Sequence, residues 1–568
     1  MIADQGRTLR RIVLAVVGGG LLFPVTVGMA QVLAASFGVL PAIGQADPGL
    51  DQFRAVVASP GFADGLWLTL GTGLGATALS LLVAIVVLPV AHARLARGFL
   101  APFLAAPHAA MAIGLALVLA PSGWLAGAIS PWLTGWERPP DLVTINDPFG
   151  LTLVLGLMLK ELPYLLFVML AALTQIPLEQ TLHTGESLGY SRRDSWLWLV
   201  VPQVYPLVRL SVYVVLSFSM SVVDVALVLG PSTPGSLAQM LTRWFFQPDL
   251  TQMLPAAAAA VVLFLLILAV ILCWWGGERL VGVAFRSLLY RRRIETGPMV
   301  RRLQDLILGF SLMLGLLGAL SAVVLVLWSL SWRWSFPGVL PDTWSLQAWG
   351  QGIGDWGHTV WTTAAIAALS SGLSLVLALG WLEAEYRGAT PRARWAEALI
   401  YLPLLLPQIV LMPGLYALML WAGLRPGFGP VIWAHSVFVF PYVMLALSDP
   451  WRRFDVRHLH AAASLGAGPF RQFATIRLPA LAAPVATALA IGFTVSVALY
   501  VPTLFAGAGR VETLTTEAVA LSSGTDRRVA AVYGVLQMLL PLAVFLLALA
   551  MVRKPDQVED RPGSELPA

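Results

Sequence analysis

The short segment Thr184-Gly185-Glu186-Ser187-Leu188-Gly189 lies in a polar gap between apolar runs, and Pro202 follows thirteen residues after its last glycine. A second segment, Ala461-Ala462-Ala463-Ser464-Leu465-Gly466, has the same setting, with Pro479 again thirteen residues after the glycine. Both contain Ser-Leu-Gly, and their glycines are 277 residues apart, about half of the chain. Two matches at the same place in two halves indicate a duplicated unit.

The duplication extends to the apolar runs that precede the two segments. Thr69 with Ala78-Leu79-Ser80 matches Thr359 with Ala368-Leu369-Ser370 at an offset of 290 residues. The fall from 290 to 277 predicts additional residues in the first half. We expect them in an outer loop near residues 132–147, which is rich in Trp, Pro and Asp.

The composition is that of a membrane protein. Of 568 residues, 58% are hydrophobic and 11% are charged, with a mean hydropathy of +0.80, whereas soluble domains carry about 25% charged residues. The net charge of +5 comes almost wholly from arginine, since lysine occurs only at Lys160 and Lys554. The arginines follow the loops between apolar runs, so topology explains them better than nucleic-acid binding does. The single cysteine, Cys273, allows no disulfide frame or thiol cluster.

Twelve apolar runs are long enough to cross a bilayer, which takes about 20 mainly apolar residues. They lie near residues 12–37, 66–91, 98–124, 150–174, 205–230, 255–276, 304–330, 358–383, 396–422, 429–448, 482–506 and 530–552. The predicted fold is an all-α polytopic membrane protein with about 12 transmembrane helices in two tandem six-helix repeats. The first run is longer than the roughly 7–15 apolar residues of a secretory signal, so it is predicted to be a membrane helix.

The charge pattern predicts the boundaries and the sidedness of the repeats. Residues 1–276 are expected to form the first repeat, 277–303 a cytoplasmic Arg-rich linker, 304–554 the second repeat and 555–568 a polar C-terminal tail. Arginine is concentrated in alternate loops, which places both termini in the cytoplasm and the chain in a bacterial inner membrane. The loop at 507–529 is predicted on the outer side although it also carries arginine.

The sequence motifs of nucleotide-hydrolysing, metal-dependent and nucleophilic enzymes are either missing or lack the secondary structure that they need. A P-loop needs Lys directly after Gly, and neither lysine follows a glycine. No HExxH or Cys/His spacing for a metal is present. Gly185–Gly189 fits the G-x-S-x-G nucleophile elbow, but that elbow needs a strand-to-helix turn and no strand pattern precedes it. The chain is predicted not to be an enzyme, with no catalytic residue, metal or cofactor of its own.

The two polar connections, about 177–204 and 455–481, are each predicted to fold as helix, bend and helix. Gly189 and Gly466 would lie at the bends, because glycine tolerates a positive φ or a close backbone approach. Pro202 and Pro479 are expected to end the second helix of each connection. On these residues alone, each connection could be an amphipathic cap on the bundle or a functional loop.

Taken as a pair, the connections resemble the cytoplasmic loop of binding-protein-dependent ABC importer permeases. That signature reads Glu-Ala-Ala, three residues, Gly, nine residues and Ile-x-Leu-Pro. The second connection follows it from His460 through Gly466 to Ile476-Arg477-Leu478-Pro479 and departs only at the glutamate. The first connection, which begins at His183, follows it less closely. The six-plus-six layout is similar to the fused permeases of the ferric-iron and thiamine importer group.

The resemblance implies the permease subunit of an ATP-driven importer. Its expected partners are a separate ABC ATPase, taken as a homodimer that holds ATP and Mg²⁺, a periplasmic solute-binding protein, and the lipid bilayer. The implied ATPase-coupling residues are His183, Glu186, Ser187, Leu188, Gly189 and Pro202 in the first connection, and His460, Ala461, Ala462, Ser464, Leu465, Gly466 and Pro479 in the second.

A histidine replaces the family's glutamate in both copies. Histidine is mostly neutral near its reference pKa of about 6.5, so the resemblance does not carry over any ion pair that this glutamate makes. Glu186 could supply an acid one turn further along the first helix, on the same face as His183. The second connection has Ala463 there, so the two connections are predicted to make unequal contacts with two ATPase copies.

Three ionisable residues lie inside predicted spans: Lys160, Glu161 and Asp224. A charge at membrane depth costs at least about 2.5–3.5 kcal/mol, so these side chains should face the bundle interior or a wet cavity. Adjacent helical residues do not face each other, so Lys160 and Glu161 are expected to have separate partners. A structural role and a role in the transport path both remain open. Asp224 could meet a cationic solute, or it could bond the backbone near Gly230-Pro231.

Two other functions fit part of the pattern. A secondary transporter also has two similar halves, but it would not need two matching cytoplasmic hairpins. A membrane-embedded lipid-linked transferase would need clustered acids, and the candidates are loosely spaced. They are Asp47, Asp51, Asp64, Glu383 and Glu385. The transported substrate is not predicted.

Overall fold

The computed structural model describes residues 2–94, 106–291, 297–351, 353–388, 394–524 and 526–552. Within these residues the chain is mostly helical, and the strands β1 (Ser331–Arg333) and β2 (Thr343–Trp344) form one short antiparallel pair. The predicted all-α membrane architecture is confirmed.

The first half contains thirteen described helices, in chain order. They are α1 (Ile2–Val17), α2 (Phe23–Ser36), α3 (Asp51–Ala58), α4 (Phe62–Arg94), α5 (His108–Leu119), α6 (Trp124–Ala128), α7 (Leu151–Leu173), α8 (Leu178–Ser187), α9 (Arg192–Ser195), α10 (Val201–Ser221), α11 (Asp224–Leu229), α12 (Leu237–Phe245) and α13 (Met253–Arg291). Short 3₁₀ turns lie at Pro41–Ile43 and Leu250–Gln252. A π-helical turn at Gly18–Leu22 joins α1 to α2, and one at Trp196–Val200 joins α9 to α10.

The second half repeats this order. Its described helices are α14 (Pro298–Ser329), α15 (Gln347–Gln351), α16 (Ile353–Arg387), α17 (Arg394–Leu405), α18 (Gln408–Trp421), α19 (Phe428–Arg453), α20 (Arg457–Ser464), α21 (Pro469–Gln472), α22 (Leu478–Ala480), α23 (Ala482–Ala498), α24 (Val501–Gly507), α25 (Leu514–Ser522) and α26 (Arg527–Val552). A π-helical turn at Phe473–Arg477 precedes α22. Helices α13 and α14 extend into the predicted linker 277–303, and the predicted tail 555–568 lies outside the described residues.

Ten helices of the described chain are long and apolar enough to span a membrane, and two bent pairs raise the number to twelve. The chain bends by 109° between α17 and α18 and by 78° between Pro469–Ala480 and α23. The predicted number of about 12 is therefore confirmed with both pairs counted. The run 396–422 is bent rather than straight, because Pro407 lacks an N–H group and disfavours helix at the residue before it.

Two further predicted spans are broken by extended residues. The run 205–230 leaves the helix at Val222 and resumes as α11, and the run 482–506 leaves it at Leu499 and resumes as α24. Hydropathy reports apolar content, which continues through both breaks, and does not report helix continuity. The predicted outer loop 507–529 also contains the buried helix α25, which is too short to be recognised as a span.

Through the centre of each half, equivalent elements of the two repeats are separated by the same number of residues. Helices α9 and α21 begin 277 residues apart, as do the two later π turns, α11 and α24, and α12 and α25. Helices α12 and α25 both begin with a capping box, at Ser236 and Thr513. The offset found between the two Ser-Leu-Gly segments is therefore the offset of the backbone repeat.

The offset of 290 proposed for the earlier helices is wrong by one helical turn. Thr69 Oγ1 accepts a hydrogen bond from the backbone N–H of Leu237 at 3.0 Å. In the second half Thr363, not Thr359, accepts the equivalent bond from Leu514, at 2.9 Å. A slip of four residues keeps the same helix face, so the sequence pattern could not reveal it.

The additional residues of the first half lie in its outer connection. Helices α5 and α18, each preceded by a proline, begin 300 residues apart, whereas α7 and α19 begin only 277 apart. The extra length therefore falls between α5 and α7, a connection that includes the predicted loop 132–147.

The first membrane helix of each half packs on the opposite half. Helix α2 contacts α18, where a Cβ on Gly414 would lie 1.9 Å from the carbonyl oxygen of Gly28. Helix α14 contacts α5, where a Cβ on Gly114 would lie 2.5 Å from the carbonyl oxygen of Ser321. Trp433 of α19 donates a hydrogen bond of 2.9 Å to the carbonyl of Gly20 in the first π turn. These contacts interlock the two halves.

We predict that Gly414→Ala lowers the stability of the protein. The new methyl group would overlap backbone rather than a flexible side chain, and overpacking of this kind costs about 1–3 kcal/mol. The matched control is Gly372→Ala in α16, where the added Cβ has open space. Thermal unfolding of the detergent-solubilised variants measures both. Equal melting temperatures would contradict the close approach of α2 and α18.

Candidate functional site

The two polar connections fold alike. Gly189 follows the end of α8 with φ +79°, and Gly466 follows the end of α20 with φ +81°, a region that glycine adopts without the penalty of a Cβ. In each turn the residue after the glycine donates back across the helix end, from Tyr190 to Gly185 and from Ala467 to Ala462, both at 2.9 Å. This is the hydrogen-bond pattern of a glycine C-cap. We call residues 177–204 loop one and 455–481 loop two.

The sequence predicted that Pro202 and Pro479 end the second helix of each loop. This prediction is wrong, because neither proline ends a helix. Pro202 and Pro479 lie in the first turn of α10 and α22, directly after the π turns. Proline has no N–H group to donate and its ring crowds the preceding turn, so each proline follows a segment where the helix has widened to a π turn. Both prolines are therefore distant in sequence from the exposed tips at Gly189 and Gly466.

Each short loop helix has one buried face and one exposed face. The buried positions are Leu182 and Gly185 in loop one and Leu459 and Ala462 in loop two. A Cβ on Gly185 would lie 2.3 Å from Ser195 Oγ, so this glycine serves packing and not a nucleophile elbow. The predicted coupling residues on the exposed faces are His183, Glu186, Ser187, Leu188 and Gly189, with His460, Ala461, Ser464, Leu465 and Gly466. Ala462 is the exception, since it faces the protein.

Large apolar side chains project from both tips. Leu188 is 60% exposed and Leu465 is 88% exposed, and Phe470 at the start of α21 is 80% exposed. Leaving such a side chain in water forgoes about 1.5–3 kcal/mol of burial. Exposed apolar groups rimmed by polar ones are typical of protein interfaces. The sequence analysis missed Phe470, whose signal is an aromatic residue within a polar loop.

The charges around the tips differ between the loops. In loop one, His183 Nδ1 lies 3.5 Å from Glu186 Oε2, the same-face arrangement expected from their spacing, and Arg192 lies 3.8 Å from the same carboxylate. In loop two, hydrogen bonds from Arg457 hold the pKa of Asp455 at about 2, so this carboxylate is ionised at physiological pH. The two tips share a backbone but present different charges.

Lys160, Glu161 and Asp224 all line a cavity of about 280 Å³ between the two halves. Lys160 Nζ donates to the carbonyl of Ala106, and Glu161 Oε1 lies 3.5 Å from His108 Nε2. The adjacent residues thus have separate partners, as helix geometry requires. In the described part of the chain, no group of three or more His, Cys, Asp or Glu residues could hold a metal ion.

Asp224 is the first residue of α11, directly after the helix break, and its counterpart Val501 is the first residue of α24. Both line the cavity. Gly230 follows the other end of α11, so the carboxylate lies in the cavity rather than beside the Gly230-Pro231 pair.

Comparison with known proteins identifies the family. Residues 376–554 match the family model described as binding-protein-dependent transport system inner membrane component. Over 517 residues the chain is 34% identical to the inner membrane ABC transporter permease protein YnjC of Escherichia coli K12, which covers 89% of this chain and 91% of that protein. The chain is a binding-protein-dependent ABC importer permease.

Shorter matches fall on other permeases of the same kind. The permease is 30% identical over 102 residues to the spermidine/putrescine transport system permease protein PotC of Escherichia coli K12, which is 18% of this chain and 39% of that protein. It is 29% identical over 133 residues to PotC of Haemophilus influenzae, which is 23% of this chain and 49% of that protein. The permease is therefore the transmembrane component of an ABC importer, a multi-pass protein of the inner membrane.

The permease fixes loop two with a buried ion-pair network. Arg477, in the π turn, lies 2.9 Å from Glu383 of α16, and Glu383 lies 2.6 Å from Arg387. Arg387 in turn donates a hydrogen bond of 2.8 Å to the carbonyl of Pro469 in α21. The guanidinium of Arg477 also lies over the ring of Trp451, 4.4 Å from its centroid. Loop two is thus joined by charge to the end of α16.

Loop one differs from loop two at the position of Arg477. The residue 277 positions before Arg477 is Val200, which is fully buried among apolar residues that include Leu182 and Trp196. Loop one therefore has apolar packing at this position, and Arg193 joins it to α14 through an ion pair of 3.1 Å with Asp305. The sequence analysis missed the role of Arg477, whose signal is an arginine at the unspecified position of the Ile-x-Leu-Pro pattern.

We predict that Arg477→Met loosens loop two. Removing one partner of a buried ion pair costs about 3 kcal/mol, since Glu383 loses one of its two arginines. The matched control is Arg471→Met, which makes the same change at an exposed position of the same loop. Hydrogen–deuterium exchange should be more than tenfold faster in residues 469–477 of the first variant only. Unchanged exchange in that variant would show that the network does not hold the loop.

Proposed function

We propose that the permease couples transport to a separate ATPase through loops one and two, and that a periplasmic binding protein delivers the cargo to its outer face. The observation that supports this most strongly is the pair of exposed leucines, Leu188 and Leu465, on two loops of identical backbone shape. Each loop follows the fourth span of its half, so both lie on the same side of the membrane. A dimeric ATPase would offer one site to each.

The arginine pattern supports a cytoplasmic position for both loops and both termini. The ATPase would hold ATP and Mg²⁺, and this chain contributes no residue to hydrolysis. Its residues form the transport path and the loops that connect this path to the ATPase.

Each loop is directly connected to two walls of the cavity. Loop one joins α7, which carries Lys160 and Glu161, to α10, whose last turns line the same cavity. Loop two joins α19 and α23 in the same way, through Tyr442 and Thr494. A displacement of either loop is therefore passed to both helices that flank it. Closure of an ATPase dimer against the tips would move the cavity walls and change the side from which the cavity is open.

The two other functions have less support. A secondary transporter needs no exposed apolar tip on each half. A lipid-linked transferase needs free acids, whereas Glu383 and Glu385 are held in ion pairs with Arg477 and Arg452, and Asp51 is paired with Arg54. Asp47 and Asp64 are left without a charged cluster around them.

We predict that Leu465→Asp and Leu188→Asp each weaken the capture of the ATPase. Burying a carboxylate in an apolar docking groove, and losing an anchor residue, should cost about 2 kcal/mol or more, which is over tenfold in affinity. The measurement is the ATP turnover that co-purifies with the tagged permease from its native host. The control is Leu424→Asp, an exposed leucine in the connection between α18 and α19, on the opposite side.

The control variant should retain the activity of the unmodified permease. Full retention by both loop variants, or an unmodified permease that captures no ATPase, would refute the proposed coupling. A stronger loss for one loop than for the other would agree with their different anchoring.

A further inference from the structure

The cavity between the halves lies where membrane helices are interrupted. In the described chain, breaks occur between α10 and α11, between α17 and α18 and between α23 and α24, and the non-helical residues Ala106 and Pro107 directly precede α5. The residues at these breaks line the cavity, namely Pro107, Val222, Val223, Leu406, Pro407, Leu499 and Tyr500. Non-helical backbone at membrane depth is tolerated where it lines a cavity, and transporters often bind their substrates at such breaks.

The acidic and basic side chains of the cavity come from one half. The first half supplies His108, Lys160, Glu161 and Asp224. In the second half Gln408 takes the place of His108, and Val501 takes the place of Asp224. The pseudo-symmetry of the backbone therefore does not extend to charge, and a solute in this cavity meets one polar wall.

Asp224 is the acid of this wall that forms no ion pair within the described residues, although His108 acts on it electrostatically. Lys160 and Glu161 carry opposite formal charges on adjacent residues, and each has a partner in the wall. Asp224 is only 7% exposed and borders the cavity. Within the described ranges its carboxylate makes no ion pair and no hydrogen bond to another side chain. An acid inside a membrane protein is costly and points to a functional partner.

The aromatic side chains of the cavity, which come from both halves, suit the apolar body of a cation. The second half contributes Phe438, Tyr442 and Tyr500, and the first half adds Tyr164 and Phe218. Aromatic faces attract cations through their negative centre and also accept hydrocarbon. A metal ion would need several grouped ligands, and the described residues provide no such group. The volume of about 280 Å³ lies just below the range of about 300–1,000 Å³ typical of sites for drug-sized ligands, so the solute is small.

We propose that this cavity is a transit site for a small organic cation, with Asp224 as its counter-charge. The inference rests on the proposed function and specifies the class of its cargo. A protonated amine or a quaternary ammonium would place its charge beside Asp224 and its carbon skeleton against the tyrosines. The other half would supply the surface against which it slides.

The charge preference of the cavity can be measured without knowing the cargo. In a Cys273→Ser background, Val501→Cys places a thiol at the counterpart of Asp224, facing the same cavity. The full chain in nanodiscs is treated with a cationic methanethiosulfonate, MTSET, or an anionic one, MTSES, and labelling rates are read by mass spectrometry. Ser464→Cys in the same background provides the rate ratio at an exposed position.

We predict that the ratio of cationic to anionic labelling at Val501→Cys exceeds that at Ser464→Cys by roughly tenfold, as expected for one nearby charge in a partly hydrated site. Adding Asp224→Asn should reduce the ratio to that of the control, and Asp224→Glu, which keeps the charge, should preserve it. If Asp224→Asn does not fold, the comparison of the two thiols and the Asp224→Glu variant still test the cation assignment.

Equal ratios at the two thiols, an unchanged ratio in Asp224→Asn, or absence of labelling by either reagent at Val501→Cys would overturn the cation assignment. Each of these results would leave ATPase capture unaffected. Failure of ATPase capture would conversely leave the labelling ratio as it is, so the two proposals fail separately.

Discussion

Every backbone N–H and C=O group inside a bilayer must find a partner, because the hydrocarbon core offers no water. A membrane helix can therefore stop and restart only where protein or a hydrated cavity receives the freed groups. In this permease the breaks after α10 and α23 form a pseudo-symmetric pair, and they meet the break between α17 and α18 around one cavity. That constraint locates the cavity more firmly than any single side chain does.

The same constraint links the path to the loops. The helices that reach the cavity from one side, α7 and α10 in the first half and α19 and α23 in the second, are the helices joined by loops one and two. A helix transmits displacement along its length because its hydrogen bonds lie within it. The glycine turns at Gly189 and Gly466 give both loops the same exposed tip, and the interlocking of α2 and α14 with the opposite halves keeps the two units in one body.

Duplication conserved the backbone and allowed the side chains to diverge. The charged residues of the cavity belong to the first half, whereas the buried ion-pair network under a loop belongs to the second. Val501 stands opposite Asp224, and Val200 stands opposite Arg477. One half therefore provides the polar wall of the cavity, and the other provides the buried ion-pair network at its loop. A fused chain can specialise its halves in this way, since each half always meets the other.

The sequence was sufficient for the repeat, the membrane class and the loop tips. The length of an apolar run predicts a membrane span, and the two Ser-Leu-Gly segments, 277 residues apart, predict the loop turns. Spans and turns can be predicted in this way because each depends on residues close together in the sequence. The helix breaks at Val222 and Leu499 lie in continuous apolar sequence, and the short buried helices α12 and α25 are below the length of a span. The contact of Arg477 with Glu383 joins residues far apart in sequence, and no local pattern encodes it.

The central claim is that two loops of one chain each engage one copy of an ATPase. Native mass spectrometry of the complex purified from its own host, in a nucleotide-trapped state, tests it most directly. The account predicts a particle of one permease with two copies of a nucleotide-hydrolysing subunit. A particle with a single copy, or a permease that remains alone while it transports, would contradict it.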